Sequence, residues 1–403
     1  MNDVAKAPVC MIVHAYYPLG EPRVQREAAA ARRAGRGVHV VALRGRGERA
    51  KEVVDGVVIH RLHLRHKRGA GFLRMIFEYA GFTIAAAIAV ARLQRRYEFG
   101  VVHVHAPPDF LVAAAVLPRL GGARVLLDIH DLSPHMFGAR FGGRAVGGAL
   151  TRFLTVVERW ACRFADRVVT VHEPYRRELI AHGVSPDRLD VVMNSADEAL
   201  VARALQKARP RMDADFLIAY HGTINEWYGV DLIVQAVAGL AQDMPNVHAL
   251  VLGEGDALGS VRRLAEELGV ADRIEFSGRY VPIEEALARV SVADCGVIPN
   301  RPSTLNRFAL SSKLFEYVAL GLPVAVARLE TLAAHFSANE VEFFEAGSAD
   351  ALAAALSRIA GDREAARARA ASAKHRAEAY SWTVGSEHYA AILTELVKGD
   401  RLR

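Results

Sequence analysis

Residues 311 to 326 read Ser-Ser-Lys-Leu-Phe-Glu-Tyr-Val-Ala-Leu-Gly-Leu-Pro-Val-Ala-Val. Leu310 to Leu320 has the length and apolar spacing of a helix, and Gly321 is placed to end it. Pro323 to Ala327 is short and apolar enough for a buried strand. A mostly buried helix running directly into a buried strand is half of a βαβ unit, the repeat that builds a parallel sheet. Two side chains break the apolar run. Lys313 and Glu316 sit three apart and share a helix face. Ser311 and Ser312 are placed to cap its start.

The same grammar extends in both directions. Strands are expected at Val9–Ala15, Val38–Leu43, Val57–Leu62, Val101–His105, Arg124–Ile129, Arg167–Val171 and Leu189–Met193, with helices at Glu21–Ala34, Phe72–Arg96 and Leu150–Phe164. Residues 195 to 213 lose strand character and gather charge, as a connection does. The alternation then restarts, with strands at Phe216–Tyr220, Val247–Gly253, Ile274–Gly278, Ala293–Pro299 and Pro323–Ala327. The fold class expected is α/β, with two doubly wound Rossmann-like domains facing a central cleft: residues 1–195, residues 196–380, and a C-terminal helix at 381–403 crossing back to the first domain. In such sheets ligands bind beyond the carboxyl ends of the strands.

Composition sets the remaining bounds. The chain has 403 residues, 52% hydrophobic and 24% charged, ample for two cores. Cys10, Cys162 and Cys295 are dispersed without metal or disulfide spacing, so a reducing, cytoplasmic setting is expected. The N-terminus is polar and enters a strand directly, unlike a signal peptide. Residues 1–200 hold 29 Lys+Arg against 19 Asp+Glu, a balance of +10 within a chain of +6. The arginines are scattered without interleaved aromatics, which argues against nucleic acid as a partner. Asp213-Ala214-Asp215 has metal-binding spacing but precedes a strand, so it reads as solvated, and no metal is expected.

The loops that follow the strands of the second half carry the candidate chemistry. Gly222 and Thr223 follow one strand, and Gly253 and Gly255 the next. Arg279 and Val281 follow a third, and Asn300 and Arg301 a fourth. Glycines there let a phosphate approach the backbone, and a helix N-terminus attracts anions. The N–H groups at Leu310-Ser311-Ser312 could hold a phosphate, with Lys313 adding charge. Glu316, one turn in, could accept two sugar hydroxyls. A plain Lys–Glu pair at an exposed helix end is the alternative.

This stretch resembles the donor-binding segment of the retaining glycosyltransferases of family 4, also called group 1, which have the GT-B fold. Further motifs follow in order. Tyr16-Tyr17-Pro18-Leu19-Gly20-Glu21-Pro22-Arg23 is similar to the family's opening glycine loop, and Val101-Val102-His103-Val104-His105 to its "D-V-V-H-x-H" strand. Asp128-Ile129-His130-Asp131 resembles "x-x-H-D", and residues 192–197 resemble "V-x-P-N-G-V-D". Gly222 to Asp231 resembles "G-R-x-x-x-x-K-G-x-D". The resemblance implies a cytoplasmic enzyme moving a sugar from a nucleotide sugar to a glycan or lipid-linked acceptor, with retention and without a metal. Glu316 would bind the donor ribose, and the backbone near Val281 the base. Gly20, Leu310, Ser311 and Ser312 would touch the diphosphate. His130 would face the sugar or acceptor, or else pair with Asp131. Glu21, Arg23 and Asp131 would line the same site.

Three positions depart from the family pattern. Thr223 and Tyr228 stand where it places a diphosphate-clamping Arg and Lys, and Phe308 stands where it places a glutamate. Lys313, Arg301 or Arg279 is expected to supply the missing charge. A nucleotide-sugar-binding protein without catalysis and a nucleotide-sugar epimerase of the same fold remain alternatives. Finally, Arg61, Arg65, Lys67 and Arg68 precede the apolar stretch Phe72 to Ala91. They suggest an anionic membrane surface as partner. The stretch itself reads as too short and too interrupted to span a bilayer.

Overall fold

In the computed structural model the alternating apolar runs become two parallel sheets. It describes residues 6–18, 21–64, 72–141, 146–208, 215–303 and 306–399. The chain divides into two units: residues 1–194 with 384–403, and residues 195–383.

The first unit has strands β1 (Val9–Tyr16), β2 (Val38–Leu43), β3 (Lys51–Val54), β4 (Val57–Leu62), β5 (Val101–Ala106), β6 (Arg124–Ile129), β7 (Arg167–Thr170) and β8 (Leu189–Val191). They lie in the order β3-β4-β2-β1-β5-β6-β7-β8, parallel except for β3 against β4. Helices α1 (Pro22–Arg33), α2 (Phe72–Tyr97), α3 (Val116–Leu120), α4 (Ser133–Phe141), α5 (Val146–Phe164) and α6 (Glu173–Ala181) connect them. The central strands β2 and β5 are buried along their whole length, and β1 from Val9 to Val13, because helices cover both sheet faces. The strand order reverses between β1 and β5, so the loops after these strands flank the unit's crevice.

The second unit has α7 (Glu198–Gln206), β9 (Phe216–His221), α8 (Val230–Leu240), β10 (Val247–Leu252), α9 (Leu258–Glu267), β11 (Ile274–Phe276), α10 (Ile283–Val290), β12 (Cys295–Ile298), α11 (Ser312–Leu320), β13 (Val324–Ala327), α12 (Glu330–His335), β14 (Glu342–Phe344), α13 (Ala349–Gly361) and α14 (Arg363–Glu378). Its sheet runs β11-β10-β9-β12-β13-β14. It is parallel throughout. Here the order reverses between β9 and β12. Gly321 ends α11 at φ 76°, a left-handed position that suits glycine, and its N–H donates to Val318 O.

Four expectations change. The 195–213 connection holds a helix, α7, capped by the Asp197 carboxylate accepting from Leu200 N at 2.9 Å. An edge strand, β3, is present where none is expected, because it is short and has no apolar face. Helix α2 is 26 residues long, and Arg74–Tyr97 has the length and hydropathy to cross a membrane, with 22% of its apolar window buried. One face of α2 (Phe82, Ala86, Val90) packs on the sheet, while Phe77, Ile84 and Ile88 point outward. Lastly, Arg61 is not a surface cation. It is buried, with Nε 3.0 Å from Glu48 and Nη1 donating to Glu52 at 2.7 Å. Arg65, Lys67, Arg68, Gly20 and Asp213 lie outside the described residues.

The final helix, α15 (Trp382–Lys398), belongs almost wholly to the first unit. Its fully buried Tyr389 hydroxyl lies 2.9 Å from His103 Nδ1.

In the second unit the loops after β9 and β10 nest so closely that a Cβ on Gly253 (φ 148°) would sit 1.9 Å from Gly222 O. Gly253→Ala should therefore cost about 1–3 kcal/mol from backbone strain alone, with further loss from the collision. Chemical denaturation checks this, and unchanged stability would show that the loops can separate freely.

Candidate functional site

In the first unit the candidate residues gather around one carboxylate. Asp128, at the end of β6, is fully buried. Arg23, in the first turn of α1, forks onto it, Nε to Oδ2 at 2.7 Å and Nη2 to Oδ1 at 3.0 Å. Arg23 Nη1 donates to Val192 O at 2.8 Å, and Glu27 lies 3.3 Å away. The guanidinium is thus committed to the protein interior, which corrects the expectation that Arg23 contacts substrate. His105 Nδ1 (3.1 Å) and His130 Nδ1 (3.3 Å) also face Asp128 Oδ2. His130 therefore pairs with Asp128, two residues back along β6, and not with Asp131.

This arrangement sets protonation. Burial opposes charge on His130, but the Asp128 hydrogen bond, with the nearby Asp128, Asp131 and Glu21 carboxylates, pushes its pKa up to about 9. Burial holds His103 and His105 below the ordinary imidazole value. Burial also raises the Glu21 and Asp131 carboxyls, with His130 opposing. Glu21 is the N-cap residue of α1, but its side chain makes no capping bond. The result is one imidazolium, partly exposed, backed by buried neutral imidazoles. Glu27, raised to about 8 chiefly by burial, completes the cluster.

In the second unit, β9 delivers Tyr220 and His221, and α11 delivers Lys313 and Glu316. His221, which the sequence reading passed over, donates from Nε2 to Glu316 Oε2 at 2.7 Å. Its Nδ1 lies 3.0 Å from Tyr317 Oη, which accepts from His221 N at 3.1 Å. That loop of bonds fixes the ring and turns the Glu316 carboxylate. Only the adjacency of His221 to the glycine loop could have signalled it.

Lys313 reaches across Gly222, where a Cβ would meet Lys313 Cε at 2.3 Å. Its Nζ rests 4.7 Å from the ring centroid of Tyr228 and 5.5 Å from that of Tyr220. Loss of water holds its pKa below the ordinary ammonium value, with Glu316 opposing. The other two candidate cations are already engaged: Arg279 with Glu285 at 2.7 Å and Arg301 with Asp231. So α11 carries a cation to the loop where Thr223 and Tyr228 offer none.

Other expectations change in detail. Ser311 is the N-cap of α11, but its hydroxyl makes no capping bond. Gly253 and Gly255 are required first by neighbouring backbone, Gly222 O and Ile224 O, and only then available to a ligand. Thr223 is exposed, and its carbonyl accepts from Tyr220 Oη at 2.7 Å. Val281 is buried, and Leu310 and Ser312 are partly so. Phe308 is buried, with the Arg307 guanidinium 5.2 Å from its ring centroid, so it packs inside the unit.

Two units of this topology define the GT-B class of glycosyltransferases. Sucrose-phosphate synthase of Thermosynechococcus elongatus superposes with a TM-score of 0.78 at 18% identity, over 98% of this chain and 100% of that one. The Anabaena protein HepE, solved with UDP and glucose, does so at 0.69 and 15%, over 96% and 100%. Residues 20–195 match the glycosyl transferase 4-like domain model and residues 215–362 the model for glycosyl transferases group 1. The chain belongs to the group 1 glycosyltransferase family. Among curated relatives, a 2-deoxystreptamine glucosyltransferase of Streptomyces kanamyceticus is 27% identical over 251 residues, 60% of this chain and 62% of that protein. A GDP-mannose-dependent phosphatidylinositol monomannoside mannosyltransferase of Mycobacterium tuberculosis is 27% identical over 327 residues, 78% and 79% respectively. The alignments span 62%, 53% and 45% of the first three relatives' lengths.

The His130 pKa makes a stability prediction. A raised imidazole pKa stabilises the fold fully below about pH 6.5, and the contribution is lost as pH rises through about 9. Its ceiling is on the order of 3 kcal/mol. The stability gap between the wild type and His130→Asn should narrow across that window when unfolding is followed from pH 6 to 10. A gap that stays constant would mean that His130 is not held as a cation.

Proposed function

We propose that this protein is a retaining glycosyltransferase. It moves a sugar from a nucleoside-diphosphate sugar to a glycan or lipid-linked acceptor in polysaccharide or glycoconjugate synthesis, at the cytoplasmic face of a membrane. The placement of Lys313 carries the proposal. A departing diphosphate gathers negative charge, and a preorganised cation stabilises it without solvent reorganisation. Lys313, over Gly222 and against Tyr228, supplies that charge, so the reaction proceeds without a metal. Glu316, turned by His221, accepts the ribose hydroxyls. Backbone near Val281 holds the base. His130, kept as a cation by Asp128, faces the sugar or acceptor, and a donor phosphate oxygen takes the acceptor proton from the leaving-group side.

Buried Phe308, standing where the family has an acid, supports a second reading: a nucleotide-sugar-binding protein without turnover. Incubation with UDP-, GDP-, ADP- and dTDP-sugars separates the two. Transfer or slow donor hydrolysis supports the enzyme, and thermal stabilisation without turnover supports the binder. Epimerised donor would point to the same-fold epimerases instead.

Glu316→Ala should weaken nucleotide binding by about 1.5–3 kcal/mol for each charge-assisted hydrogen bond removed. Lys313→Ala should weaken diphosphate-bearing ligands while leaving the bare nucleoside nearly unchanged. Calorimetry with both ligands checks these outcomes, and equal losses for nucleotide and nucleoside would remove Lys313 from the phosphate site.

Exposed apolar surface supports a role at a membrane. Helices α2 and α5 both pack against the 109–120 segment, and both turn large apolar side chains outward. Phe77 is 75% exposed, and Phe153 and Val156 are 63% and 62% exposed, with Trp160 on the same helix and exposed Arg152 and Arg163 beside them. Apolar anchors interleaved with arginines suit an anionic interface. The wild type should sediment with anionic vesicles at low salt, and Phe153→Ser with Trp160→Ser should stay in the supernatant. If the wild type also remains in the supernatant, the acceptor is soluble.

A further inference from the structure

A second cluster in the first unit stands apart from the Asp128 network. Glu178 and His182, four residues apart, lie at the end of α6 and just beyond it, and share a face. His135, from α4, completes the group. Its Nε2 lies 2.9 Å from Glu178 Oε1, and His182 Nε2 lies 3.5 Å from the same oxygen. One donor atom from each residue falls within 4.8 Å of the other two. The two imidazole rings face each other nearly parallel, 6.0 Å apart and inclined by 13°. All three side chains are partly exposed, so the group is reachable from solvent.

A fourth residue gives the cluster its direction. Glu158, from α5, is fully buried, and its Oε1 accepts from His182 Nδ1 at 2.6 Å. Its other oxygen, Oε2, has no hydrogen-bond partner among the described residues. A buried carboxylate on one ring nitrogen fixes the tautomer and presents the other nitrogen, Nε2, as an electron-pair donor. This is the outer-shell arrangement that accompanies metal-ligating histidines.

We infer that His135, Glu178 and His182 form a binding site for one divalent transition-metal ion of the zinc type, with Glu158 orienting His182 from behind. Two imidazoles and one carboxylate suit zinc, nickel or cobalt, and do not suit magnesium or calcium, which take oxygen ligands. Three protein ligands leave further positions to water. Binding displaces any Nε2 proton to solvent, and the charge on Glu178 balances part of the ion's. The buried group Glu27, His103, His105 and Asp128 has comparable spacing. There Arg23 already stands as the cation, 2.7 Å from Asp128 and 3.3 Å from Glu27. An ion held by His135, Glu178 and His182 would pin α4, which begins three residues after His130, to α6.

Zinc itself is the probe. The full chain, stripped by chelator, is titrated with zinc chloride in a calorimeter and with cobalt chloride in the visible spectrum. One equivalent of zinc, a raised unfolding temperature and visible cobalt bands of low-symmetry coordination are expected. His182→Ala and His135→Gln should each abolish the equivalent, with folding checked by circular dichroism. Glu158→Gln should keep it but lower affinity roughly 10–100-fold. The inference is overturned if the stripped wild type takes up no zinc, or if folded His182→Ala binds as tightly as the wild type. Unchanged affinity in Glu158→Gln would remove Glu158 from the site.

Discussion

The bidentate pair between Arg23 and Asp128 is the constraint on which the first unit depends. Both groups are buried, so each would be costly alone, and together they hold only because every bond is aligned. Removing one partner of such a pair costs about 3–5 kcal/mol, because the other is left charged in the interior. The pair also ties three distant stretches together: α1, the end of β6, and Val192 beyond β8. Three nitrogens compete for Asp128 Oδ2, from Arg23, His105 and His130. The carboxylate is therefore a fixed negative centre, and the charge state of His130 follows from it.

The second unit reaches preorganisation by a different route. There the constraint is steric. Loops after β9 and β10 are pressed together at glycines, and Asn306, almost fully buried, donates to Trp227 O and Arg301 O at 2.7 Å each, tying the loop after β12 to the loop after β9. Onto this platform α11 lowers Lys313 and Glu316. A cation supplied by a helix is held more firmly than one on a loop, since its backbone cannot drift. Tyr228 complements this shift: where a second lysine would repel Lys313, an aromatic face attracts it.

Much of this was legible in the sequence, for definable reasons. The parallel strands announce themselves because burial on both faces leaves unbroken apolar runs such as Val38–Leu43 and Val101–Ala106. Lys313 and Glu316 stood out because they were polar residues in an apolar helix. The misses share a cause. Arg23, Arg61 and His221 look like surface or turn residues along the chain, and only tertiary contacts show where they lie. Their partners are 105, 13 and 95 residues away in sequence (Asp128, Glu48 and Glu316), and no local pattern carries that separation. The strand β3 failed differently, because an exposed edge strand needs no apolar face to form.

The return of α15 to the first unit bears on how the chain is made. The second unit is one uninterrupted segment, 195–383, and all of it is synthesised before the first unit's last helix. Tyr389 meets His103 only after that. During synthesis, the interior that surrounds Asp128 is therefore without one wall until the last residues of the chain are added. A first unit without residues 384–403 would lack α15, with the His103 end of its buried polar network open to water. Order of manufacture, and not only contact energy, thus decides when this molecule becomes sealed.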